Sequence, residues 1–277
     1  MRVLKQVLAV AAAALVGSRA VAAVQDNPWL ALLLGTATAV ATLLVYGWVV
    51  RRTERREVTE LARSGAGTRI VQGMFIGFVM FAAVIVTIAL LGGYHVHGVG
   101  SVTGVVGLFG FMAAAAVTEE LLFRGLLFRL VEERLGTWLS LLLTGVLFGL
   151  MHLANPDAGV WGATAVTIEA GFMLAACYVA TGSLWVPIGL HLGWNFAAAG
   201  IFSVVVSGNG ESQGLLDAST SGPMLLSGGD FGPEASLYTV LAGLALTVVF
   251  LGLAHRRGRI VPRRRPVDVP AADVTVS

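Results

Sequence analysis

Charge is scarce in this chain. Asp, Glu, Lys and Arg make up 12% of its 277 residues, against about 25% in an ordinary soluble domain. Hydrophobic residues fill 56% of the positions. A soluble protein of this size has too little interior to hide so much apolar surface, and only a bilayer removes the need to hide it. Cysteine is scarcer still: Cys177 has no partner in the chain, which excludes an internal disulfide framework. The net charge of +2 leaves no basic footprint for nucleic acid. Internal repeats, coiled-coil heptads and a separate soluble domain are also missing. So are several catalytic signatures. No His-Glu-x-x-His helix gives an independent zinc signal, and Ser183, the nearest candidate nucleophile, lacks a Gly-x-Ser-Gly setting. Asp157, Asp217 and Asp230 fall in or beside loops, which excludes a pair of membrane aspartates.

Long apolar runs stand in place of charge. A helix needs about 20 residues to cross the hydrocarbon core, and such runs fall at 4–23, 28–50, 70–92, 103–128, 137–153, 160–181, 184–206 and 236–254. The first carries Lys5 and Arg19 and closes on Ala20-Val21-Ala22-Ala23, a pattern shared by a retained helix and a cleavable signal peptide. Glycine is frequent, at 35 residues, as close packing of membrane helices requires. The connections sort by charge. Arg51, Arg52, Arg55, Arg56, Arg63 and Arg69 mark one as cytoplasmic, Arg129 and Arg134 mark a second, and Arg256, Arg257, Arg259, Arg263, Arg264 and Arg265 mark the C-terminal tail. Residues 92–101 and 207–235 hold no Lys or Arg and belong outside. Both termini are then inside when the first helix is retained. The expected organisation is an N-terminal helix at 1–27, a membrane domain at 28–255 and a basic, disordered cytoplasmic tail at 256–277. The Gly-, Ser-, Asp- and Pro-rich stretch 207–235 predicts a flexible outer loop.

Ionisable groups within spans are costly, so each needs a reason. Glu119, Glu120 and Arg124 interrupt the fourth run, His152 ends the fifth, Glu169 lies in the sixth, and His191 and Asn195 lie in the seventh. Glu120 and Arg124 are four apart and share a helix face, whereas Glu119 points about 100° away. Arg124 therefore cannot easily neutralise both carboxylates. His191 and Asn195, also four apart, point to one side. A carboxylate, two imidazoles and a carboxamide facing one cavity form a hydrolytic set, in which the carboxylate takes a proton from a water that an imidazole orients. Further donors then hold the oxyanion. The residues alone leave other readings open: a helix staple at Glu120 and Arg124, hydrogen-bond glue at Asn195, and a non-catalytic scaffold or small proton-coupled transporter.

Glu119-Glu120-x-x-x-Arg124, Phe148-x-x-x-His152 and His191-x-x-x-Asn195, with Thr181-Gly182-Ser183-Leu184-Trp185 before the last, resemble the ordered motifs of the CPBP intramembrane proteases. That family includes the type II CAAX prenyl endopeptidases and the Abi proteins of bacteriocin processing, and the likeness runs from about Gly104 to Phe202. The resemblance implies an all-α polytopic membrane protein, with about eight transmembrane helices enclosing an intramembrane catalytic cavity and a core at about 104–206. It implies that Glu119 activates water with help from His152, that His191 and Asn195 stabilise the oxyanion, and that Glu120, Arg124 and Phe148 support them. Substrates would be peptides or membrane-protein ends in the bilayer, prenylated in one branch of the family. A metal is not required by this arrangement; if zinc is bound, Glu119, His152 and His191 are the candidate ligands. Glu169 lies outside the motifs.

Overall fold

Apolar runs become helices here wherever a cap and a breaker bound them. The computed structural model describes residues 2–210 and 213–263. Its long helices are α1 (Arg2–Ala22), α2 (Pro28–Glu54), α3 (Ala66–Leu90), α4 (Val102–Glu120) and α5 (Arg129–Met151). Then come α6 (Val160–Val166), α7 (Met173–Thr181), α8 (Trp185–Asn195), the short α9 (Met224–Ser227) and α10 (Leu237–Arg256). Side-chain caps start three of them. Asn27 Oδ1 accepts from Leu30 N at 3.1 Å ahead of Pro28, Ser101 Oγ accepts from Gly104 N at 2.9 Å, and Ser236 Oγ accepts from Thr239 N at 3.2 Å. Each satisfies an amide that the helix leaves unpaired.

Six helical stretches are long and apolar enough to cross a membrane, and the chain is an all-α, multi-pass membrane protein. Eight apolar runs reduce to six stretches for two physical reasons. Val102–Ala154 counts as one stretch of 53 residues although Gly136, at φ 76°, ψ 169°, kinks it into two helices, because the chain from the end of the fourth run stays helical up to that kink. The seventh run forms only α8 and a π-helical turn ending at Ile201, too short to qualify by length.

Glycine sets the spacing. Gly73 and Gly77 of α3 face the backbone of Val186 and Leu190 in α8, and Gly189 and Gly193 of α8 face Ile70 and Met74 in α3, with no room for a Cβ at any of the four. Small residues four apart let two membrane helices touch backbone to backbone. Gly35 on α2 and Gly110 on α4 meet in the same way. The α1 helix lies along α2, with Gly17 against Thr38 and Gln6 Nε2 donating to Thr53 Oγ1 and Glu54 Oε1, both at 2.7 Å.

Polar residues close the arginine-rich end of the bundle. Arg56 grips both carboxylate oxygens of buried Glu60, at 2.7 and 2.8 Å, and Tyr46 Oη donates to Glu60 Oε1 at 2.7 Å. Arg129 reaches Glu54 at 2.6 Å. Of the basic tail, the described part is held: Thr137 N donates to Val261 O and Val261 N to Thr137 Oγ1, both at 2.9 Å. Residues 264–277, with Arg264 and Arg265, lie outside the described residues.

The opposite end departs from expectation. Stretch 207–235 is not a simple loop. It supplies β2 (Leu216–Thr220), which pairs antiparallel with β1 (Tyr94–Val99) from the other arginine-free connection, Tyr94 opposite Thr220. It then folds inward and buries Phe231, Glu234 and Ala235. Its glycines supply turns at positive φ (Gly228 at 85°, Gly232 at 97°), so the composition that reads as flexibility serves tight reversals.

Candidate active site

The site grows from α4 outward. Glu119 and Glu120 end α4, and the chain then widens into a π-helical segment at Leu121–Phe128. Two further π-helical turns follow, Thr167–Phe172 around Glu169 and Phe196–Ile201 directly after Asn195. Such irregularities concentrate where a helix must re-aim side chains; Phe123 of the first and Glu169 and Ala170 of the second line one cavity, as does Asn195 just before the third.

Glu120 is fully buried and Arg124 is 2% exposed. Arg124 Nη1 donates to Glu120 Oε1 at 2.8 Å, and Nη2 donates to the carbonyls of Ala170 and Gly171 at 2.8 and 3.2 Å. The guanidinium also lies over the Phe148 ring, 4.6 Å from its centre. The pair thus fastens α4 to the π-helical turn that carries Glu169. The same Glu120 Oε1 lies 3.0 Å from His191 Nδ1. A carboxylate only accepts, so Nδ1 carries the proton and Nε2 turns the other way. There it stands 3.9 Å from Glu119 Oε2. Glu119 is the accessible carboxylate of the two, its side chain 34% exposed.

His152 closes another side. Its Nδ1 lies 2.8 Å from Phe148 O, a carbonyl that can only accept, so Nε2 of the neutral ring carries the lone pair. Phe148 stacks beside it at 4.9 Å and also meets Phe123 edge-on at 4.8 Å, which accounts for an aromatic residue one turn before the histidine. Asn195 is half-buried and has no side-chain hydrogen bond to the described residues. Its carboxamide is therefore free to meet a ligand.

Glu119, His152, His191 and Asn195 all line one cavity of about 1060 Å³. Glu120 and Arg124 sit behind it, as their spacing predicts. Glu169, which no motif covers, lines the cavity too. Two more residues join that the sequence does not single out. Glu234, 3% exposed, accepts from Ser207 N and Oγ at 2.6 and 2.8 Å and from Trp194 Nε1 at 3.2 Å. Trp194, one residue before Asn195, lines the same wall. Burial pushes the Glu234 carboxyl above the usual range, and the Ser207 bonds oppose that only in part. The one sequence signal for Glu234 is its place two positions before the capping Ser236, which reads as an ordinary helix start.

A zinc site fits this arrangement poorly. Catalytic zinc takes three protein ligands plus water. Among the described residues no three His, Cys, Asp or Glu side chains gather as an ion would need. The three candidate ligands Glu119, His152 and His191 therefore do not form such a site.

No curated protein and no solved structure matches the chain. Residues 101–197, which contain all three motifs, match the family model described as Rce1-like: type II CAAX prenyl endopeptidase Rce1-like, and this stretch bears out the resemblance to the CPBP proteases.

Proposed function

We propose that this chain is an intramembrane endopeptidase in which Glu119 activates the attacking water. The observation that carries the reading is the approach of Glu119 Oε2 to His191 Nε2, 3.9 Å, within a cavity that also presents His152 and Asn195. The gap is too wide for a direct hydrogen bond and suits a water or reacting oxygen that bridges the two groups.

Each step draws on the geometry. Glu119 takes one proton from water while His152 Nε2 accepts a hydrogen bond from the same water and aims it. The water oxygen bonds to the scissile carbonyl carbon, and the carbonyl electrons move onto oxygen. The Asn195 carboxamide and His191 Nε2–H stabilise that oxyanion. His191 needs both ring protons for this role, since Nδ1–H is held by Glu120. The charges of Glu119, Glu120, Arg124 and His191 then sum to zero, which a membrane interior favours. On collapse the C–N bond breaks and Glu119 returns its proton to the leaving nitrogen. Glu119 and His152 supply base and positioning without a metal.

The cavity wall also suggests where substrate enters. Its rim takes Gln25 and Asp26 from the α1–α2 turn, Asn155 from the α5–α6 turn, and Ser207 and Asn209, all from arginine-free connections. The arginine-rich end is closed by the Glu54, Arg56, Glu60 and Arg129 cluster. By the positive-inside rule the C-terminus is cytoplasmic and the cavity opens outward. Its substrate is then a peptide or membrane-protein segment presented from the outer side of the bilayer.

The test compares protein termini in membranes from cells making wild type or Glu119→Gln at equal levels. Specific membrane-associated peptides should stay uncut only with the variant. Identical termini, together with rescue of a deletion phenotype by Glu119→Gln, would overturn catalysis and leave a scaffold.

A further inference from the structure

The cavity walls carry Asp26, Glu119, Glu169 and Glu234 but no lysine or arginine. Glu120 is already matched by Arg124, and Glu234 by its three donors. Glu169 differs from both in having no donor or counter-ion on either oxygen among the described residues. It is 1% exposed, and its Oε2, like Glu120 Oε2, is fully buried without a hydrogen-bond partner there. A carboxylate held out of water with no donor is costly, and natural proteins pair such groups or give them a ligand.

The fold fixes Glu169 firmly. Its backbone packs against Gly243 of α10, where a Cβ has no room, and the neighbouring carbonyls of Ala170 and Gly171 are held by Arg124. Glu234 lies within electrostatic reach of it, on the folded outer segment 207–235. Nothing in the hydrolytic scheme uses Glu169. Fixing an unpaired carboxylate in an acidic wall of the cavity that holds the reacting groups serves recognition of a positive group.

We propose that Glu169, backed by Glu234, is the acceptor for a lysine or arginine side chain of the substrate, so that this protease selects peptides with a basic residue close to the scissile bond. The proposal rests on the endopeptidase reading and names the substrate class for that same cavity. A basic side chain would give Glu169 the donors it lacks, by charge-assisted hydrogen bonds. Its long apolar stem suits a cavity otherwise lined by residues such as Val166, Met173 and Leu174, with the charge at the far end.

The test uses full-length protein in detergent micelles and a set of quenched fluorescent peptides. Within the set, lysine is exchanged for the uncharged, similarly long norleucine at one position at a time. Wild type should cut the lysine peptide about 10- to 100-fold faster in kcat/KM at one position, the range a charge-assisted hydrogen bond supports. In Glu169→Gln the ratio should fall towards one, with a smaller fall in Glu234→Gln. Both peptides are cut by one sample, so the ratio does not depend on how much variant folds. Cleavage by wild type with no lysine preference at any position overturns the proposal, as does a preference that survives Glu169→Gln. A binding arm separates this from failure of the protease reading: fluorescence anisotropy of the lysine and norleucine peptides on Glu119→Gln. Lysine-selective binding without any cleavage by wild type supports the subsite and removes the protease; equal binding of both peptides removes the subsite.

Discussion

His191 Nδ1 lies 3.0 Å from Glu120 Oε1, so the imidazole is tethered to a carboxylate that the protein interior has already paired. Orientation of His191 and stability of the bundle therefore run through one side chain, and the two effects can be separated.

Glu120→Gln leaves the Arg124 guanidinium buried without its counter-charge, and breaking one side of a buried pair costs about 3–5 kcal/mol. The double variant Glu120→Gln, Arg124→Met removes both charges and should recover much of that loss, because uncharged isosteres often replace buried pairs at little cost. Activity should not recover with it, since His191 has still lost its anionic acceptor. Thermal unfolding in detergent gives the first quantity and peptide cleavage the second. Wild-type cleavage by the double variant would show that Glu120 does not position His191.

His191 is also set from behind, by the glycine contact between α3 and α8. A Cβ on Gly193 would run into the backbone of Met74, whereas a Cβ on Gly252 of α10 meets nothing within 4 Å. Gly193→Ala should therefore cost about 1–3 kcal/mol by overpacking and lower cleavage by displacing the α8 turn that bears His191. Gly252→Ala should leave the unfolding midpoint within error or raise it slightly, as alanine favours a helix over glycine. Equal midpoints for the two variants would mean that the α3–α8 contact yields freely.

These relationships were unequally legible in the sequence. The span at 160–181 coincides with the helical stretch Val160–Thr181, because apolar runs bounded by turn residues leave little freedom. The separate duties of Glu119 and Glu120 also follow from helix geometry, since one residue of offset turns a side chain by about 100°. Glu234 was not legible. It reaches the cavity through the tertiary path of 207–235, and no periodicity marks a segment built from tight turns and a short strand that pairs with β1. Gly136 was half legible: Arg129, Glu132, Glu133 and Arg134 separate the two runs, but those residues stay helical, so the break falls only at the glycine that follows them. Glu169 was visible as a costly residue, but only packing against Gly243 and the cavity wall gives it a place.

The polar closure at the arginine-rich end has its own pH signature. Burial alone would raise the Glu60 carboxyl, but the bonds from Arg56 and Tyr46 outweigh it and hold the group below its ordinary value of 4.5. A depressed carboxyl binds fewer protons folded than unfolded, so stability rises with pH across that window. The contribution of Glu60 is thus complete above the ordinary carboxylate range and is lost as pH falls through the folded value. Wild type should unfold at higher temperature than Glu60→Gln at pH 7, and the gap should narrow steadily below about pH 4.5. A gap independent of pH would mean that Glu60 acts by shape rather than charge.

The direction of the cavity mouth can be measured with one natural advantage. Cys177 is completely buried, so an introduced cysteine is read against a quiet background. Asn209 at the rim and Ser64 in the arginine-rich connection are both exposed, and the two sites belong to opposite ends of the bundle. In intact cells a membrane-impermeant maleimide should label Asn209→Cys and spare Ser64→Cys, with the second labelled only after the membrane is opened. That pattern places the C-terminus inside with Ser64, because α10 ends beside Gly182, where Arg257 donates to Ala180 O at 2.8 Å. The reverse pattern would turn the cavity towards the cytoplasm, and substrates would then be sought among protein tails on the inner leaflet.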